Sequence, residues 1–157
     1  MVMMMTNPTP PSAPWRVARA TSRPMHRPPR VLLAEDDTEM RRLVAEALQM
    51  DGCDVFDVPD GRSLASAITR QILSGNEAFD LIVADIRMPV YSGLDVVEAF
   101  REARCPTPVI LMTAFGDDAT RARAESMGAL LFDKPFELDD LRTAVVNLLD
   151  LDKPSGT

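Results

Sequence analysis

The side chains able to do chemistry in this 157-residue chain fall into a few short clusters. Three acids follow one another at Glu35-Asp36-Asp37, Asp85 closes one apolar run, Thr113 closes another, and Lys134 stands in Asp133-Lys134-Pro135. Clustered carboxylates repel and raise one another's pKa unless a cation shares their site. A hard divalent ion suits them, and magnesium in particular is held by one or two carboxylates, several waters and a phosphate oxygen. Aspartate is a competent nucleophile that forms an acyl phosphate, while a metal and an ammonium group offset charge on the transferring oxygens. A threonine hydroxyl can donate a hydrogen bond to the same group. Metal-assisted phosphoryl transfer is therefore open to these residue types, provided the fold gathers them from widely separated parts of the chain.

From Arg30 onward, strands alternate with helices five times, the signature of a parallel sheet covered on both faces. The apolar run at 31–34 ends in acids and reads as the first strand. Met40, Leu43, Val44, Ala47 and Leu48 follow helical spacing, with Gly52 just past the helix end. A strand is expected at 53–58, a helix at 62–73, a loop at 74–76, and a strand at 81–84 that stops at Asp85. A Pro/Gly-bearing loop through Met88, Pro89 and Gly93 leads to a helix near 94–103. Strands at 109–112 and 130–132 and helices near 118–127 and 138–149 complete the series. The fold class is α/β, a doubly wound five-stranded parallel sheet, with the Met and Leu stripes of the helices read as core. In such a sheet ligands bind beyond the carboxyl ends of the strands, where the strand order reverses. Glu35, Asp36, Asp85, Thr113 and Lys134 all lie at such ends.

The ordered set Glu35-Asp36-Asp37, Asp85-Ile86-Arg87-Met88-Pro89 with Gly93, Thr113-Ala114 and Lys134-Pro135-Phe136 resembles the receiver domains of two-component systems over residues 30–150. The resemblance implies a flavodoxin-like sheet of strand order 2-1-3-4-5. It makes Asp85 the phosphoacceptor and Asp36 a direct Mg2+ ligand, with Glu35 acting directly or through a metal-bound water. The backbone carbonyl of Arg87 would complete the protein's share of the metal shell. Thr113 would be the switch hydroxyl and Lys134 the partner of Asp85 or its phosphate, with the Lys134-Pro135 bond in cis, a form tolerated before proline. Small Ala114 leaves room for a phosphodonor. Asp37 reads as a helix cap rather than a ligand. Two features depart from the pattern: Leu131 stands three residues before Lys134, where an aromatic residue is common, with Phe132 one place later, and the step from Gly128 to Lys134 is one residue short.

The resemblance implies a sensor histidine kinase or histidine phosphotransfer protein as donor, because the only histidine, His26, lies in a proline-rich stretch. It also implies a separate downstream target, a monomer or weak phosphorylation-dependent dimer, and a switched protein rather than an enzyme. Residues 1–29 read as a disordered Pro/Arg-rich arm, also holding the sole Trp15, and 151–157 as a polar tail with no output domain following. Net charge is −7, yet residues 1–30 hold five arginines and no acid, so the remainder is strongly acidic. An acidic body disfavours nucleic acid as a partner. No apolar run approaches the ~20 residues of a membrane span. Cys53 and Cys105 lack metal-ligand spacing and fit a reducing cytoplasm as ordinary thiols. Two rival readings are a phosphorylation-independent interaction module on the same fold and a nucleic-acid-associated regulator acting through the basic arm.

Overall fold

The structure is a computed structural model that describes residues 27–75 and 78–149. Most of the expected arm, including Trp15 and His26, and the tail at 151–157 lie outside the described residues. The elements run β1 (Arg30–Ala34), α1 (Thr38–Met50), β2 (Asp54–Val58), α2 (Gly61–Ser74), β3 (Leu81–Asp85), α3 (Gly93–Glu102), β4 (Val109–Thr113), α4 (Asp118–Ser126), β5 (Leu130–Asp133) and α5 (Leu138–Leu149). All strand pairs are parallel, in the order β2-β1-β3-β4-β5. From β1 the chain moves outward to β2, then returns across β1 to β3 and continues the other way. The reversal opens a crevice at the carboxyl ends of β1 and β3.

The central strands are apolar on both faces because both are covered, as parallel sheets require. Alternation splits them between two cores. Leu32, Ala34, Ile82, Ala84, Val109 and Leu111 face α2, α3 and α4, where they meet Leu64, Ile68, Val97 and Phe100. Val31, Leu33, Leu81, Val83, Ile110 and Met112 face α1 and α5, against Val44, Leu48, Leu141 and Val145. Asp37, Asp60, Ser92 and Asp117 cap α1, α2, α3 and α4, each side chain accepting the backbone N–H three residues on. Such caps satisfy donors that a helix start leaves orphaned.

Leu43 corrects the expected apolar stripe of α1, being 53% exposed while Val44, Ala47 and Leu48 are buried. At about 100° per residue Leu43 falls to one side of the arc centred near Val44. Helix α4 is the least buried helix, with Ala124 alone in the core. Arginines tether it instead. Arg123 pairs with Asp95 and Glu98 of α3, and Arg121 with Asp133 of β5. Arg101 of α3 donates to the carbonyls of Met127, Cys105 and Thr107 at 2.8–3.0 Å, fastening α3 to the turn after α4 and to the approach to β4.

Candidate functional site

The sheet ladder extends one residue beyond β1, where the Glu35 N–H donates to the Val58 carbonyl at 3.1 Å. This turns the Glu35 side chain into the protein, where it is fully buried. Asp37 opens α1 by accepting from the Met40 N–H at 2.9 Å, and its own N–H donates to Glu35 Oε2 at 3.1 Å. Asp37 is thus a cap, as expected. Asp36 stands between them, exposed. Asp85 is the last residue of β3 and is 5% exposed, with Oδ1 accepting from the Arg87 N–H at 3.2 Å. Thr113 ends β4 almost fully buried, and its Oγ1 accepts from the Phe115 N–H at 3.1 Å, which leaves the hydroxyl proton to donate elsewhere.

Lys134 follows β5, with its N–H on the Thr113 carbonyl at 2.7 Å and a cis bond to Pro135. Its Nζ lies 2.8 Å from Glu35 Oε1 and 3.0 Å from Asp85 Oδ2, bridging two buried carboxylates. Burial works against the ammonium, but the hydrogen bonds and charges of Glu35 and Asp85 outweigh it and hold its pKa above the usual lysine value. Asp36 is pushed the other way for an acid: partial burial, then the hydrogen bond and charge of Glu35, raise its carboxyl above the ordinary range.

Glu35, Asp36 and Asp85 can each place one oxygen so that all three lie within 4.8 Å of one another. An all-oxygen donor set at this spacing, with Asp36 raised by partial burial and by its neighbour Glu35, fits a hard divalent cation. A groove of about 420 Å³ lined by Arg30, Phe56, Phe79 and residues of α2 contains none of these side chains. The acidic crevice is therefore separate from that groove.

Neighbouring loops shape the rim. A Cβ on Gly93 would lie 2.4 Å from the Asp85 carbonyl oxygen, so a side chain there would displace the end of β3. Before it, Val90 has φ 74° and the Tyr91 N–H turns back onto the Pro89 carbonyl at 2.9 Å. A β-branched residue is rarely found in that conformation. The Arg87 guanidinium lies 4.5 Å from the centre of the exposed Phe115 ring, beside exposed Ala114.

Near β5 the turn into the strand is short, and the residue three before Lys134 is a leucine. Gly128, at φ 70°, enters β5 after a single residue, Ala129. Thr113 still pairs with Asp133, and Leu131 pairs with Leu111 on the α2–α4 face of the sheet. Phe132 faces the other way, edge-on to Phe136 at 5.6 Å. The position three before Lys134 is thus filled by leucine.

Sequence reading missed Arg41. From α1 it donates through Nη1 to the Glu35 carbonyl at 2.8 Å and through Nε to Asp57 Oδ2 at 3.1 Å, joining three elements beside the acidic crevice. In the sequence Arg41 stands beside Arg42 in an amphipathic helix, and nothing there marks which of the two reaches back to the sheet.

The response regulator receiver domain family matches residues 31–146. The chain is 37% identical over 117 residues to the response regulator protein PmrA of Pseudomonas aeruginosa, covering 74% of this chain and 50% of that one. It resembles the solved non-phosphorylated HemR receiver domain of Leptospira biflexa, at 29% identity and TM-score 0.67, over 80% of this chain and 98% of that one. It also resembles the chemotaxis protein CheY4 of Vibrio cholerae, at 26% identity and TM-score 0.67, over 78% of this chain and all of that one. The chain spans a quarter to a half of curated relatives such as the regulatory protein AtoC of Escherichia coli and PmrA. A sheet that reverses at β1 and β3, and a family match running from the first strand into the last helix, lead to one conclusion: this chain belongs to the response regulator receiver domain family.

Proposed function

We propose that Asp85 accepts a phosphoryl group from a phosphohistidine on a partner kinase or phosphotransfer protein, and that the resulting acyl phosphate switches a protein-binding surface. Membership of the receiver family supports a role in phosphorelay signalling. The observation that carries the finer reading is the lysine bridge: Lys134 Nζ holds the buried carboxylates of Glu35 and Asp85 together at the end of the sheet. In the transfer an Asp85 carboxylate oxygen forms a bond to phosphorus as the bond from phosphorus to the donor imidazole nitrogen breaks. The imidazole keeps the electron pair and takes up a proton. Lys134 stays within reach of the oxygens that gain charge, and the Thr113 hydroxyl supplies a hydrogen bond to the group once it is attached.

Asp36 and Asp85 would hold Mg2+ directly, with the Arg87 carbonyl, while buried Glu35 acts directly or through a metal-bound water. The ion would neutralise charge between the carboxylates and the incoming phosphoryl oxygens. Leucine at position 131 lacks the ring that could follow Thr113; the new charge on Asp85 would draw Thr113 inward and bias the surface formed by α4, β5 and α5, of which α4 is tethered by arginines. The protein works as a switch in the cytoplasm rather than as a turnover catalyst. Among the described residues no helix is long and apolar enough to cross a membrane.

The test is intact-mass detection of phosphate after incubation with phosphoramidate, for the protein and its Asp85→Ala variant, with and without Mg2+. Magnesium-dependent labelling confined to the unaltered chain is expected. Folded protein that takes no label, or labelling that persists in Asp85→Ala, would overturn the assignment of Asp85.

A further inference from the structure

We infer that Arg41, held by Asp57, is a positioning residue for the metal crevice, fixing the peptide unit from which Asp36 hangs. The inference rests on the magnesium reading above and adds a residue to it. The Glu35 carbonyl that accepts from Arg41 Nη1 at 2.8 Å belongs to the peptide bond between Glu35 and Asp36. On the other side the Glu35 N–H is held by the Val58 carbonyl, and its two carboxylate oxygens by Lys134 Nζ and the Asp37 N–H. Glu35 is therefore fastened at every polar group. Asp36 is exposed, and the orientation of its backbone is inherited from that node.

Arg41 suits the task because its planar fork makes two contacts in fixed relation, one to the carbonyl and one to Asp57 Oδ2 at 3.1 Å. The side chain of Arg41 is 18% exposed and that of Asp57 46%, so the carboxylate reaches in from the sheet edge to hold a guanidinium that is mostly covered. Groups that orient a ligand without touching the metal commonly change metal affinity by tenfold or more when removed.

Charge and position make opposite forecasts, which gives the test its sign. Removing a cation beside an acidic site should tighten Mg2+ binding by electrostatics alone, whereas loss of the strap should weaken it. Titrating the full chain with Mg2+ alone, by calorimetry and by the backbone amide shifts of Asp36 and Asp37, should show Arg41→Gln weaker by about tenfold. Arg41→Lys, which keeps the charge and loses the fork, should show a smaller weakening of the same sign, with the metal-free unfolding temperature close to that of the unaltered chain. It also serves as the second variant should Arg41→Gln not fold. Tighter or unchanged binding in the folded variants, while Asp36→Asn abolishes it, would overturn the positioning role alone. No Mg2+ binding by the unaltered chain would overturn the metal reading and the strap together.

Discussion

Replacing Asp36 by asparagine should stabilise the metal-free protein and reverse that ranking when magnesium is added. The acid stands where oxygens of Glu35 and Asp85 can come within 4.8 Å, with the Lys134 ammonium cancelling one of the two neighbouring charges. One net unit charge at that distance repels by about 0.9 kcal/mol at the dielectric constant of water and about 3.5 kcal/mol at an effective value near 20. Asp36 is exposed, so the lower limit applies and Asp36→Asn should gain about 1 kcal/mol, or about 4 °C in unfolding temperature for a domain of this size. The sign with pH follows from the raised carboxyl of Asp36. A group whose pKa is higher in the folded state favours folding while protonated and loses that contribution as pH rises through the folded value. The advantage of the variant should therefore be absent near pH 3 and complete at pH 7. At a hundred times its dissociation constant, Mg2+ should add about 2.7 kcal/mol to the unaltered chain and much less to the variant, so the unfolding curves exchange order. Urea or thermal unfolding at both pH values, with and without Mg2+, measures all of this. An Asp36→Asn protein that is less stable without metal would mean that Asp36 is not repelled by its neighbours, and one that gains as much from Mg2+ would mean that Asp36 is not a metal ligand.

Other perturbations test the frame around the crevice. Val90→Gly should raise stability by about 1 kcal/mol in chemical denaturation, because relief of a β-branched residue at positive φ exceeds the added chain entropy of glycine. Arg101→Met should cost about 2–3 kcal/mol in the same assay, since three carbonyls lose a charged donor, and hydrogen exchange should rise first in the turn after α4. Arg142 of α5 grips Asp51, the cap residue of α1, through two hydrogen bonds at 2.7 and 2.9 Å, and these hold the Asp51 carboxyl below its usual value. A lowered carboxyl contributes stability that is present above its unfolded pKa and lost as pH falls through the folded one. Arg142→Gln should therefore lower the unfolding temperature at pH 7 and approach the unaltered chain near pH 3.

Sequence pattern carried the architecture because alternating apolar runs and helical stripes belong to single elements, and each can be read within about ten residues. Asp85 was legible as the end of an apolar run that the sheet buries completely, and Lys134 from the run at 130–132 just before it, although that strand is only partly buried. Arg41 was not legible. Its partners lie on the residue after β1 and near the end of β2, and only the assembled sheet brings them to one helix face. Leu43 was misplaced because periodicity identifies an arc and not its edge. The facing of Leu131 and Phe132 needed the register with β4, since a shift of one residue would exchange them.

The tethering of α4 by arginines has a consequence for how the domain responds to its solvent. Helices α1 and α5 sink leucines and valines into the sheet, and ions in solution barely affect that attachment. The attachment of α4 rests on Ala124 and its cap residue Met127 in the core and, beside them, on ion pairs between exposed side chains, which salt screens. Rising salt should loosen this one helix while the rest of the domain keeps its packing. Part of the grip on α4 would then depend on the ionic medium, while the packing of α1 and α5 would not.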